Sequence, residues 1–214
     1  MVYDCARPQE RKDGLQAAAS AVRAGDLVVI PTDTVYGIGS DAFSLSAVHG
    51  LLAAKGRGPE MPVGVLVGSW STIDGLVLSV PQQARALIEA FWPGDLSIVL
   101  RHAPSLSWDL GATRGTVMVR MPLHPVAIEL LRETGPMAVS SANVTGKPPA
   151  STVTEARDQL GDSVRVYLDG GPSGDPVPST IVDLTGDEPV VLREGAVPID
   201  SVREVLGVEV RQVG

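Results

Sequence analysis

The residues best placed to do chemistry in this chain are hydroxyls and cations in short blocks, each beside an apolar run. Pro31-Thr32-Asp33-Thr34-Val35-Tyr36-Gly37 offers three hydroxyls and an acid on one short stretch. Such side chains can bind a polar ligand, or satisfy the backbone of a tight turn. Lys55-Gly56-Arg57 sets two cations two residues apart. Arginine is a planar fork and lysine a point charge, so the pair can clamp phosphates. At a helix end the same cations can simply favour the macrodipole. Ser140-Ser141-Ala142-Asn143 brings hydroxyls and an amide, to hold a ligand or to cap a turn. Ser179-Thr180 and Arg193 open and close the last apolar pair, and by themselves they read as surface.

Thr116-Val117-Met118-Val119-Arg120-Met121 carries the sharpest physical constraint. Read as a strand, it puts Thr116, Met118 and Arg120 on one face and Val117, Val119 and Met121 on the other. An arginine among apolar strand residues must snorkel to water or meet an anion. Thr116 and Arg120 would stand ~13 Å apart at ~3.3 Å per residue, which suits the two ends of one extended ligand.

Other chemistries find little support. Gly37-Ile38-Gly39-Ser40-Asp41-Ala42 spells G-x-G-x-x-A, with Glu60 downstream, but Pro31 to Tyr36 separates it from the preceding strand, so the tight dinucleotide-binding turn is missing. Gly146-Lys147 resembles the end of a P-loop, yet Ser141 and Pro148 stand where glycine and Ser/Thr are required. His49, His102 and His124 are far apart, and none is at ligand spacing from another or from Cys5. No serine sits in a G-x-S-x-G elbow.

The elements that must position these blocks follow from periodicity. A helix is expected from Asp13, as N-cap, to Ala24, with Gly25 ending it. Leu27–Ile30 reads as a doubly buried strand. Val48, Leu51, Leu52 and Lys55 follow helical spacing, which puts Lys55 near the end of a second helix. Val63–Val67 is a strand, and Pro81 opens a helix with Ala84, Leu87, Ile88 and Phe91 as its buried stripe. Strands are expected at 96–100, 116–121, 137–140, 164–168, 180–184 and 190–192. Helices fall at 125–133, at 152–161 with a Thr152/Glu155 capping box, and after Asp200 as a cap. Strands and helices alternate without a strict βαβ rhythm. The fold class is therefore α/β, with a mixed, open twisted sheet and flanking helices in one domain spanning 1–214.

Composition bounds the rest. The 214 residues carry 17 basic and 25 acidic side chains, a net charge of −8, which weighs against a chain whose main partner is a nucleic-acid backbone. Gly 23 and Pro 17 point to many tight turns rather than disorder. A single cysteine excludes an internal disulfide, and no apolar run approaches the ~18 residues of a membrane span. No signal peptide is visible in Met1 to Lys12. A soluble cytoplasmic protein with no membrane contact is the plain reading.

Taken in order, these blocks resemble the YrdC-like family of L-threonylcarbamoyl-AMP synthases. The resemblance runs from Ala24 to Leu206: PTDTVYGIG at 31–39, KGR at 55–57, FWPG at 91–94, TVMVRMP at 116–122, SSAN at 140–143, STI at 179–181 and LREG at 192–195. It implies the family's short form, a YrdC-like sheet around a large cationic cavity. It also implies a nucleotidyltransferase that makes threonylcarbamoyl-AMP and pyrophosphate from L-threonine, bicarbonate and ATP, for tRNA N6-threonylcarbamoyladenosine. Lys55, Arg57, Ser141 and Asn143 would form the catalytic tetrad around the phosphates. Thr116, the Val139 backbone and Arg193 would also contact ATP, and Thr32, Arg120 and Ser179 would hold threonine. Mg²⁺ would ride on the triphosphate with mostly water ligands. Further partners would be the tRNA threonylcarbamoyl transferase complex and tRNA, in transient contact. On this reading Lys55→Ala and Arg57→Ala cost activity with little change in melting temperature.

The chain departs from the family pattern at three places. Asp95-Leu96-Ser97 replaces the usual proline-Leu-Thr, Pro149 stands where a serine contacts ATP, and Pro178 replaces glutamate before Ser179. The alternative from another class is an RNA-binding module of the same fold, for tRNA or double-stranded RNA. The charge of −8 and the low aromatic content speak against it.

Overall fold

The computed structural model describes residues 1–174 and 177–213. Its elements begin with β1 (Val2–Asp4), α1 (Pro8–Arg23), β2 (Val28–Ile30), β3 (Gly37–Asp41), α2 (Leu45–Ala54) and β4 (Gly64–Leu66). There follow α3 (Gln82–Phe91), β5 (Leu96–Arg101), β6 (Thr116–Arg120), α4 (Pro125–Thr134), β7 (Met137–Ser141) and α5 (Val153–Leu160). The chain closes with β8 (Val166–Asp169), β9 (Thr180–Asp183), β10 (Val190–Arg193), α6 (Ile199–Leu206) and β11 (Arg211–Gln212). All the strands join one open twisted sheet in the order β1-β8-β2-β3-β7-β4-β6-β5-β9-β10-β11. Pairing is mixed, as expected: β2/β8, β4/β6 and β5/β9 are parallel, whereas β2/β3, β3/β7, β4/β7 and β5/β6 are antiparallel.

The strand period divides the core between the two faces. On β2, Val28 and Ile30 join a cluster with Ala18 and Val22 of α1 and Val126 and Leu130 of α4. Val29 points the other way, to the larger cluster that also takes Leu51 of α2, Leu87 of α3, Ala156 of α5 and Val202 of α6. Helices α1 and α4 pack on each other and shield the β1-to-β3 half of their face. Beyond the edge of β4, where Leu66 meets α4, the outward side chains of the β4-β6-β5-β9 half of that face line a hollow. That hollow is what the fold provides for a site.

Several expectations are corrected in detail. Helix α1 begins at Pro8, well before Asp13, with Pro8 in the first turn and the Asp4 N–H donating to the Glu10 carboxylate (3.1 Å). Its polar first turn hides it from a search for apolar periodicity. Strand β3 is not expected from periodicity, because GIGSD shows no apolar–polar alternation. It forms by being sandwiched between β2 and β7, where a Cβ on Gly37 would lie 2.7 Å from Val139 and one on Gly39 2.8 Å from Met137. Strands β1 and β11 are likewise not expected, being two or three residues long and formed by edge pairing. The Thr152 cap is present, but the Glu155 carboxylate accepts from Ser151 rather than from Thr152. Asp200 does not cap α6: Pro198 occupies that position and Asp200 pairs with Arg203.

Candidate functional site

The hollow has a volume of about 620 Å³. Its floor includes the strand face singled out above: Thr116, Met118 and Arg120 line it, while Val117 and Met121 are buried in the core beneath and Val119, itself a core residue, also borders the cavity. Strand β7 contributes Val139, Ser140 and Ser141, the β2–β3 loop contributes Thr32 and Thr34, and β9 and β10 bring Ser179 and Arg193. Ser97, Pro149 and Pro178, one residue from each of the three departures, are also on the wall.

Arg57 reaches the wall because Gly56, at φ +59°, turns the chain out of α2. One of its Nη donates to the Ser140 hydroxyl (2.9 Å) and the other to the Pro62 carbonyl (3.1 Å), while its Nε is buried with no partner among the described residues. Arg193 lies across the start of β9, donating through Nε and Nη2 to the Ser179 carbonyl (3.1 and 2.7 Å). Burial lowers the pKa of both guanidiniums from the ordinary arginine value, with Arg120 adding to the effect at Arg193. Arginine keeps its charge at neutral pH under such shifts. Two cations with spare donor capacity on one wall suit an oxyanion-rich ligand.

Lys55 behaves differently. It is 2% exposed and is not on the cavity wall. Its Nζ donates to the Ser141 carbonyl, to the Asn143 carbonyl (2.7 Å) and, at 3.4 Å, to Asn143 Oδ1. Burial, aided by the Arg57 charge, pushes its pKa down to about 8. Asn143 is likewise turned inward, donating from Nδ2 to the Val144 (3.0 Å) and Lys147 (2.8 Å) carbonyls. Of the four tetrad residues, then, Arg57 and Ser141 face the cavity, and Lys55 and Asn143 brace the loop that carries Ser141.

At the other end, Thr32 Oγ1 donates to the Val35 carbonyl (2.6 Å) and lies 3.1 Å from Thr34 Oγ1. These hydroxyls satisfy the turn and also line the cavity. Ser179 Oγ is paired with Ser97 Oγ at 2.9 Å. Arg120 is buried and meets the anions that its strand position requires: Nη2 donates to Asp33 (2.7 Å) and to Asp95 (2.9 Å). Its Nε donates to the Gly94 carbonyl (2.8 Å) and Nη1 to Thr34 Oγ1 (3.0 Å). Sequence reasoning did not assign Asp33, Asp95, Thr34, Ser97 or Ser140 to the site. A signal existed for the two acids, because a buried arginine demands a counter-charge.

The histidines take structural positions: His124 caps α4 by accepting from the Val126 N–H, and His49 lies 3.3 Å from Asp109. Among the described residues no three His, Cys, Asp or Glu side chains stand together as a metal site. No helix among them is long and apolar enough to cross a membrane.

Fold and site together define an α/β protein with a mixed open sheet and one cavity lined by three arginines and a ring of hydroxyls. Comparison with known proteins narrows this. The model of the Sua5/YciO/YrdC family, described as telomere recombination, matches residues 20–195, and the chain belongs to that family. A protein of Mycobacterium tuberculosis H37Rv is 65% identical over 207 residues, covering 97% of this chain and 95% of its own, and its name assigns it provisionally as a threonylcarbamoyl-AMP synthase. The threonylcarbamoyl-AMP synthase of Bacillus subtilis is 38% identical over 192 residues, covering 89% of this chain and 56% of its own. The crystal structure of Pyrococcus abyssi Sua5 complexed with L-threonine superposes with a TM-score of 0.92 at 32% identity. The match covers all of this chain and 62% of that one.

Proposed function

We propose that the protein is a threonylcarbamoyl-AMP synthase, converting L-threonine, bicarbonate and ATP into threonylcarbamoyl-AMP and pyrophosphate. The observation that carries this reading is the meeting of Arg57, Arg120 and Arg193 on one cavity with the hydroxyls of Thr32, Thr116, Ser141 and Ser179. A relative provisionally given that name, 65% identical over 97% of this chain, supports it. Bicarbonate takes a proton and loses water to give carbon dioxide. The neutral threonine amine adds to its carbon and releases a proton to become a carbamate, and a carbamate oxygen then attacks the α-phosphorus while pyrophosphate leaves. No enzyme nucleophile is needed. Negative charge gathers on the phosphoryl oxygens, so fixed cations and donors stabilise the transition state more than the reactants.

Arg57, Ser141 and Arg193, with Thr116 and the Val139 backbone, would hold the nucleotide. Thr32, Ser179 and Arg120 would hold threonine, Arg120 through its carboxylate, which orients the amine towards the phosphate. Lys55 and Asn143 would act by shaping the Ser141 loop. Mg²⁺ would enter as MgATP, because the cations and hydroxyls of this wall complement phosphate rather than a divalent ion. Transfer to tRNA would follow on a separate transferase, and the work would be done in the cytoplasm. The RNA-binding alternative is not favoured by the relatives' names or by the charge of −8.

The test is pyrophosphate release with ATP, Mg²⁺ and bicarbonate, with and without threonine. Release that depends on threonine is expected, and its absence at saturating threonine refutes the reading.

A further inference from the structure

Arg120 has five N–H donors, and four are committed: one to Gly94, one to Thr34, one to Asp33 and one to Asp95. A substrate carboxylate grips a guanidinium best through two parallel N–H bonds. Only one Nη1 hydrogen is left, so a two-point grip requires one protein partner to yield. Thr34 is buried, and its hydroxyl is fixed by the Thr32 hydroxyl at 3.1 Å as well as by Arg120. The Asp33 side chain is 11% exposed, and its Oδ2 is already buried without a donor, so pulling Oδ1 away as well strands a buried charge. The Asp95 side chain is 31% exposed, and apart from Arg120 its polar neighbour is the Asp33 carboxyl, which it can bond only when one of the two carries a proton. It can swing into solvent at little cost.

We propose that Asp95 is an internal competitor for the amino-acid site, occupying one edge of the Arg120 fork and surrendering it to the carboxylate of the incoming substrate. This rests on the synthase reading and assigns that site a residue which sets its affinity. Two carboxylates against one guanidinium leave the cluster at −1 when both are ionised, which opposes an arriving carboxylate. The neighbouring charges are Arg193, which faces Arg120 from β10, and His124 at the start of α4, on the Asp33 side.

Protonation removes the opposition. Burial and the adjacent Asp33 charge push Asp95 up to about 6. Asp33, which burial alone would raise, is held below the carboxylate range by Arg120. A protonated Asp95 also supplies the donor that Asp33 Oδ2 lacks, which draws it away from Arg120. Amino-acid binding is therefore expected to tighten as pH falls through about 6. His124, on the Asp33 side, is a second titratable group, its pKa lowered by burial, so the Asp95 contribution must be isolated by substitution.

The experiment is calorimetric titration of L-threonine into wild-type protein, Asp95→Asn and Asp95→Ala between pH 5.5 and 8. The expected result is that both variants bind about three- to tenfold more tightly than wild type at pH 7.5. Wild-type affinity should rise towards pH 5.5 while that of the variants stays nearly flat. Variants that bind no more tightly, or that keep the full wild-type pH rise, overturn the proposal while threonine-dependent pyrophosphate release by wild type leaves the synthase reading intact. A flat wild-type profile overturns it without any variant. Wild-type protein that neither binds threonine nor releases pyrophosphate overturns both.

Discussion

Lys55→Met separates two roles that lie two residues apart in the chain. The substitution keeps the length of the stem and removes the ammonium, so the carbonyls of Ser141 and Asn143 lose a shared donor in a region where Lys55 is 2% exposed. A buried acceptor left without a donor costs ~1–3 kcal/mol. The 3.4 Å contact to Asn143 Oδ1 adds little. Part of the loss is offset because an ammonium no longer has to be kept out of water, the same burial that lowers the Lys55 pKa to about 8. The net expectation is a loss of about 2–4 kcal/mol, or roughly 5–15 °C in melting temperature for a chain of this size.

Arg57→Ala instead removes one bond to a hydroxyl and one to a carbonyl at a half-buried site, about 1 kcal/mol and no more than ~4 °C. Differential scanning calorimetry on both variants, beside the pyrophosphate-release assay, reads the two roles apart. Both variants should lose activity, but only Lys55→Met should lose more than about 4 °C in melting temperature. A Lys55→Met protein melting within about 2 °C of wild type would refute the argument that this lysine braces the loop from beneath.

Three further outcomes follow from the same geometry. Because the folded pKa of Lys55 is about 8 against 10.5 as the ordinary value, the unfolded chain binds more protons between those limits. The lysine's unfavourable contribution is full below about 8 and fades by 10.5. Urea midpoints at pH 7.5 and 10 should therefore show wild type gaining on Lys55→Met as pH rises, and an unchanged difference contradicts the assignment. Arg120→Lys replaces a fork bonded to Gly94, Thr34, Asp33 and Asp95 by a point charge, and should raise KM for threonine at least about tenfold while moving that for ATP much less. Equal losses for the two substrates would show that Arg120 does not divide the cavity. Gly195→Ala would set a Cβ 2.0 Å from the Pro178 carbonyl oxygen and 2.7 Å from the Ser179 carbonyl carbon. It should displace the backbone that positions Ser179 and Arg193, costing about 3 kcal/mol or more by thermal melting and weakening ATP binding; wild-type behaviour would sink this prediction.

What the amino-acid order determined by itself is what depends on neighbours along the chain. The two-residue period of β6 set Thr116, Met118 and Arg120 on one face, and the apolar stripe of α3 and the Thr152 cap could be read locally. The need of Arg120 for an anion could also be read, but not which anion. The tertiary structure decided that Asp33, from a loop 87 residues away, and Asp95, 25 residues away, would share that role. It also turned Lys55 into the interior and Arg57 onto the cavity, although both are cations at one helix end. Gly56 redirects the chain between them, and the Ser141 and Asn143 carbonyls arrive from 86 and 88 residues on. Charge type and spacing are local properties. Whether a charge faces a ligand or braces a loop depends on which distant backbone groups need a partner, and only packing brings those groups together.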